Sequence, residues 1–116
     1  MNVTRIFTDT GGGSHFELVP ILMEDQSDMG YFSTPITNMK SMRFQKVFSR
    51  GEWDFHAAGG KSYVVLMEGV LEIEVSDGER LRFTAGDVIL FDDVSGQGHK
   101  SKTFENSACG MVISLG

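Results

Sequence analysis

Three histidines, His15, His56 and His99, are the side chains of this sequence best suited to acid–base or ligand chemistry. Imidazole changes charge near neutral pH and is a common metal ligand. His99 closes the segment Asp92-Asp93-Val94-Ser95-Gly96-Gln97-Gly98-His99. A carboxylate beside an imidazole orients the ring, as a general base requires, so Asp93 and His99 form a candidate catalytic pair. Aspartate before Val94-Ser95-Gly96 also suits the backbone donors of a turn, and that second reading of Asp93 stands beside the first. If His99 faces an interior, strand alternation turns Ser101 and Thr103 the same way and sends Lys100 and Lys102 outward. His56 follows Trp53 and Phe55, which suit packing as much as a ligand platform. Cys109 adjoins the apolar stretch Gly110-Met111-Val112-Ile113 and reads as an inert buried thiol. No Ser-His-Asp or Cys-His constellation is visible along the chain. Gly11-Gly12-Gly13 lacks the lysine and following helix of a phosphate-binding loop.

The elements that must position these residues are strands. Tyr63 to Phe91 reads as four short antiparallel strands joined by three glycine turns. Leu71, Ile73 and Val75 alternate with Glu72 and Glu74, the pattern of a half-buried strand. Asp77-Gly78 between alternating segments marks a hairpin. Residues 2–8, His15 to Met23, Ser41 to Ser49, His99 to Phe104 and Gly110 to Leu115 add further strands, with Pro20 confining its own to an edge. Residues 24–40 show no sustained period, and their apolar members Met29, Tyr31, Phe32, Ile36 and Met39 suggest a lid or an arm. The class is all-β, a sheet that closes or sandwiches.

This pattern resembles a small single-domain cupin, over about residues 40–115. The family is a double-stranded β-helix, or jelly-roll barrel, with motifs G-x5-H-x-H-x3,4-E-x6-G and G-x5-P-x-G-x2-H-x3-N. Gly69 matches the end of the first motif and Gly86 the start of the second, while His56 and His99 lie near their histidine positions. Trp53-Asp54-Phe55-His56, Val88 to His99 (carrying a D-x-x-G-x-G-H pattern) and Ser14-His15-Phe16-Glu17 are similar to an uncharacterised group of bacterial cupins. The resemblance implies a barrel core over 40–116 carrying an amino-terminal strand extension over 1–39. It also implies a metal site, which this sequence fills incompletely. The family glutamate falls on Ser62, the first motif histidine on Asp54, the proline on Asp92 and the closing asparagine on Thr103. Asp54, His56 and His99 would make a two-histidine, one-carboxylate set for iron, manganese, nickel or zinc, provided Asp54 and His56 share a strand face. Without metal, the resemblance leaves an interior pocket in which His56, His99, Ser62, Ser101 and Asp92 contact a small molecule.

The length suits one domain, and one cysteine excludes an intrachain disulfide. A net charge of −6, spread along the chain, argues against nucleic acid and anionic membrane as partners. The absence of a leader-like or long apolar stretch makes the cytoplasm the expected location. A homodimer is expected from the apolar amino-terminal third and the need to cover strand edges. Three functions follow as expectations: a small-molecule binder with a degenerate metal set, a metal-dependent oxygenase, isomerase or lyase of small organic acids or sugars, and an accessory dimer without chemistry. The last requires an interior filled by side chains such as Met67, Phe83 and Leu90.

Overall fold

The computed structural model describes residues 1–47, 50–104 and 108–116. Its strands are β1 (Asn2–Thr8), β2 (Ser14–Pro20), β3 (Glu24–Gln26), β4 (Tyr31–Ser33), β5 (Ser41–Val47), β6 (Glu52–His56), β7 (Ser62–Glu68), β8 (Leu71–Glu74), β9 (Arg80–Phe83), β10 (Val88–Asp92), β11 (His99–Thr103) and β12 (Ala108–Ser114). A 3-10 turn, Ser27–Met29, joins β3 to β4. The expected strand end at Phe48 and Ser49 lies outside the described residues.

One sheet runs β2-β1-β10-β7-β12-β5 and the other β6-β11-β8-β9. Four antiparallel pairs are nested: β8 with β9, β7 with β10, β6 with β11 and β5 with β12. A long antiparallel ribbon folded over on itself gives this order, and it defines a jelly-roll double-stranded β-helix. β1 joins the free edge of β10 in parallel and β2 returns along β1, so the amino-terminal strands extend the larger sheet.

The stretch from Tyr63 to Phe91 is therefore not a four-stranded meander. Only β8 and β9 form a local hairpin; β7 and β10 pair with each other in the opposite sheet. The Asp77-Gly78 signal marks that hairpin turn, where the Val75 and Glu79 backbones bond at 3.0 Å and Gly78 takes a φ of 91°. Glu72 and Glu74 point outward against their cross-strand partners, with Arg82 Nε 3.4 Å from Glu72 and Arg80 Nε 2.7 Å from Glu74. Exposed pairs of this kind contribute about 0.2–1 kcal/mol each.

Inward-facing Ile73 and Val75 join Ile6, Phe83, Ile89 and Phe91 in the core. Alternation places Leu66 inside and leaves its neighbour Met67 49% exposed. Leu90 is buried but lies outside the core cluster, on the face of β10 opposite Ile89 and Phe91. The interior is thus not plugged by Met67 and Leu90: one end of the barrel is packed and the other is hollow. Residues 21–40 carry the chain from one edge of the larger sheet to the other and contain the small β3–β4 hairpin, an element the aperiodic sequence does not announce.

Candidate binding site in the barrel

The hollow end is a cavity of about 590 Å³ with walls from both sheets. Val64, Leu66, Phe91 and Val112 make its apolar wall, and Ser62, Ser101, His56 and His99 supply polar groups. This mix of a largely apolar wall with a few convergent polar groups is how small-molecule sites are usually built.

His99 begins β11 and is buried, with its ring 4.8 Å from that of Phe91 and 4.9 Å from that of His56. Its Nδ1 lies 2.6 Å from Asp93 Oδ2. Asp93 is fully buried, and its carbonyl accepts the Ala58 N–H at 2.9 Å. A buried carboxylate is tolerated only when paired, and His99 is its one side-chain partner among the described residues. Among the described residues Asp93 Oδ1 has no hydrogen-bond partner. The carboxylate sits behind His99 and does not line the cavity, so Asp93 acts by fixing the imidazole. With Nδ1 donating to the carboxylate, Nε2 is the nitrogen left for a ligand.

His56 ends β6, and its Nδ1 donates to the Asp54 carbonyl at 2.8 Å. A carbonyl only accepts, so this bond also leaves Nε2 as the free nitrogen. His56 pairs with His99 and Trp53 with Ser101, so two steps along β11 answer three along β6. The bulge breaks the alternation of β6. Trp53 and His56 both line the cavity, while Asp54 does not.

That bulge corrects the three-ligand expectation. Asp54 does not share a face with His56, and its Oδ1 accepts the Phe55 N–H at 2.8 Å. Among the described residues no group of three or more His, Cys, Asp and Glu is arranged to hold a metal ion. Among the described residues the only carboxylate at the imidazole pair, Asp93, is committed to His99 Nδ1. Two imidazoles without a carboxylate or third imidazole do not fit the ligand set of a resident iron, manganese, nickel or zinc ion.

Asp92 is the second correction. Its Oδ2 accepts from Arg5 Nε at 3.0 Å and Nη2 at 2.8 Å, and it does not line the cavity. The parallel pairing of β1 with β10 brings Arg5 alongside, a contact across 87 positions of sequence. Ser62, Ser101 and Thr103 do line the cavity, and Lys102 on the outer face meets Glu72 at 3.1 Å.

Sequence reasoning missed the brace behind His99. Buried Ser14 donates through Oγ to the Gly98 carbonyl at 2.6 Å, Gln97 N–H bonds the Gly12 carbonyl at 2.9 Å, and Thr8 Oγ1 donates to the Ser95 carbonyl at 2.9 Å. The β1–β2 turn therefore holds the loop that delivers His99. The only signal was the Ser14-His15-Phe16-Glu17 stretch shared with the resembling group. Lys40, Arg43 and Gln45 on the cavity's β5 side were also missed.

His15 lies outside the cavity. Its Nε2 is 2.6 Å from Asp9 Oδ2 and its Nδ1 3.3 Å from Asp77 Oδ2. The Asp9 hydrogen bond is the main cause raising the His15 pKa above its ordinary 6.5, and the same bond is the main cause lowering Asp9 below 3.8. The raised histidine stabilises fully below 6.5, and that contribution is lost as pH rises through its folded value. The lowered aspartate contributes above 3.8 and is lost as pH falls through its folded value. The melting-temperature difference between wild type and His15→Gln is accordingly expected to be largest between pH 3.8 and 6.5, and to shrink in alkali. A difference that grew with alkaline pH would contradict the pairing.

A nested double-stranded β-helix is the jelly-roll fold of cupins, and this chain has that fold. Among solved structures it is similar to protein NMB1881 from Neisseria meningitidis, at 18% identity and a TM-score of 0.51, over 71% of this chain and 81% of that one. It is also similar to a cupin-2 domain containing protein from Shewanella frigidimarina, at 18% identity and a TM-score of 0.47, over 65% and 69%. A putative ethanolamine utilization protein Q from Salmonella typhimurium aligns at 13% identity and a TM-score of 0.44, over 99% and 95%. No protein-family model and no curated protein matches the chain. Among the described residues no helix is long and apolar enough to cross a membrane.

Proposed function

We propose that this protein binds a small molecule inside the barrel, without a resident metal, and that His99 and His56 are its polar anchors. The observation that supports this reading best is the 590 Å³ cavity into which His99 is presented while buried Asp93 holds its Nδ1. Ser62 and Ser101 add hydroxyl groups, and the apolar wall takes the rest of the ligand. The buried Asp93–His99 pair supports a second reading, in which His99 Nε2 accepts a proton from the bound molecule while Asp93 steadies the ring. The reading also includes a cytoplasmic homodimer. The exposed apolar side chains of Leu22, Tyr31, Phe32 and Ile36 support the dimer, and the single cysteine suits a reducing compartment.

A thermal-shift screen of small molecules tests the binding. A ligand at a hundred times its Kd adds about 2.7 kcal/mol to stability. Stabilising compounds are expected for wild type and to lose most of their effect on a Ser101→Phe variant, whose ring projects into the cavity beside the imidazoles. If stabilising compounds act equally on both proteins, the site is not inside the barrel.

A further inference from the structure

We propose that the cavity selects small organic acids, with Lys40 and Arg43 receiving the carboxylate and the apolar wall receiving the hydrocarbon part. This deepens the cavity-binding reading above and rests on it.

The first observation is a separation of charge. The chain carries 16 acidic residues against 10 lysines and arginines, yet among the described residues no Asp or Glu side chain lines the cavity. The charged side chains that do line it are Lys40 and Arg43, joined by the two titratable imidazoles. Lys40 and Arg43 make the side-chain charge at this cavity positive among the described residues, which attracts anions, because the local sign governs a small ligand more than the net charge does.

The second observation concerns what those cations do. Arg5, Arg80, Arg82 and Lys102 each hold a carboxylate within 3.4 Å. Lys40 and Arg43 have no ion pair among the described residues. Arg43 Nε instead meets Gln45 Oε1 at 3.3 Å, and Gln45 also lines the cavity. An amide oxygen orients a guanidinium without neutralising it, so its remaining donors stay available for a planar carboxylate. Lys40 is placed by its backbone, whose N–H bonds the Ser114 carbonyl at 2.7 Å and ties the start of β5 to the end of β12. Both side chains are solvent-exposed, so the discrimination they supply is several-fold and sensitive to salt.

Trp53 is the only tryptophan of the chain and lines the cavity, so its emission reports occupancy directly. The test titrates benzoate and hexanoate against their neutral amides, benzamide and hexanamide, at low salt, into wild type and a Lys40→Gln/Arg43→Gln double variant. The acids are expected to bind wild type about fivefold more tightly than the amides, and this preference is expected to vanish in the variant and to shrink at high salt. Amides binding wild type as tightly as acids would overturn the proposal while leaving cavity binding intact. An acid preference that survives in the double variant would overturn the assignment to Lys40 and Arg43. If no probe changes Trp53 emission or the ligand NMR linewidths, this proposal is overturned, and the thermal-shift comparison of wild type with Ser101→Phe decides the cavity-binding reading separately.

Discussion

A His99→Ala variant is expected to lose about 3–5 kcal/mol of stability in urea unfolding at neutral pH, the usual effect of stripping a buried carboxylate of its partner. Asp93 is fully buried, His99 is 6% exposed, and the contact between them is 2.6 Å. Truncation would leave a carboxylate with Oδ1 already unpartnered and Oδ2 newly so. The lost imidazole packing against Phe91 adds to the loss. Replacing both residues, as His99→Ala/Asp93→Ala, removes the stranded charge, so the double variant is expected to lose less than the two single variants summed. His99→Gln keeps a neutral donor and is expected to fall between wild type and alanine. A loss under about 1 kcal/mol for His99→Ala would mean that water reaches Asp93, and that the imidazole is not held from behind.

Gly98→Ala is the second large effect, and it acts through the backbone. Gly98 has a φ of 73°, which an alanine adopts at a cost of about 1–2 kcal/mol. A Cβ there would also overlap the His56 carbonyl and the Ala57 nitrogen, which are backbone atoms that no rotamer change can move aside. Overpacking of this kind typically costs a further 1–3 kcal/mol or so, giving a total near 2–5 kcal/mol. Gly78 separates the two contributions. Its φ is 91°, but the space where a Cβ would stand is open, so Gly78→Ala is expected to cost the backbone term alone. The two variants should therefore differ in urea midpoint and in site geometry. Only Gly98→Ala pushes His56 away from His99 and shifts the Trp53 emission that reports the cavity. Equal losses at the two glycines would show that β6 yields to the added methyl group.

Much of the barrel was legible because strands write a local, period-two signal. Leu71, Ile73 and Val75 against Glu72 and Glu74 gave β8 its inner and outer faces, and Asp77-Gly78 gave the hairpin to β9. The nested pairing was not legible from the residues alone. Chain order sets β7 beside β8 and β10 beside β9, whereas β7 and β10 pair with each other across the folded ribbon through contacts distant in sequence. The same limit governed the site. Asp93 and His99 stand six positions apart on either side of one turn, close enough for spacing to suggest the pair. Asp92 was misplaced because its partner, Arg5, arrives from β1. Asp54 was misplaced because alternation was assumed through β6, where a bulge set by the β11 register turns Trp53 inward in its stead. The resemblance supplied the architecture, and the departures at Ser62 and Asp54 already marked where a metal set would be short of ligands.

The central claim is that the barrel presents two imidazoles to a ligand and not to a resident metal. Elemental analysis of untagged protein tests it most directly, as purified and after dialysis against iron(II), manganese, nickel and zinc. No metal is expected to be retained at a stoichiometric level under any of these conditions. About one equivalent of a single metal, lost in His56→Ala and His99→Ala, would contradict it.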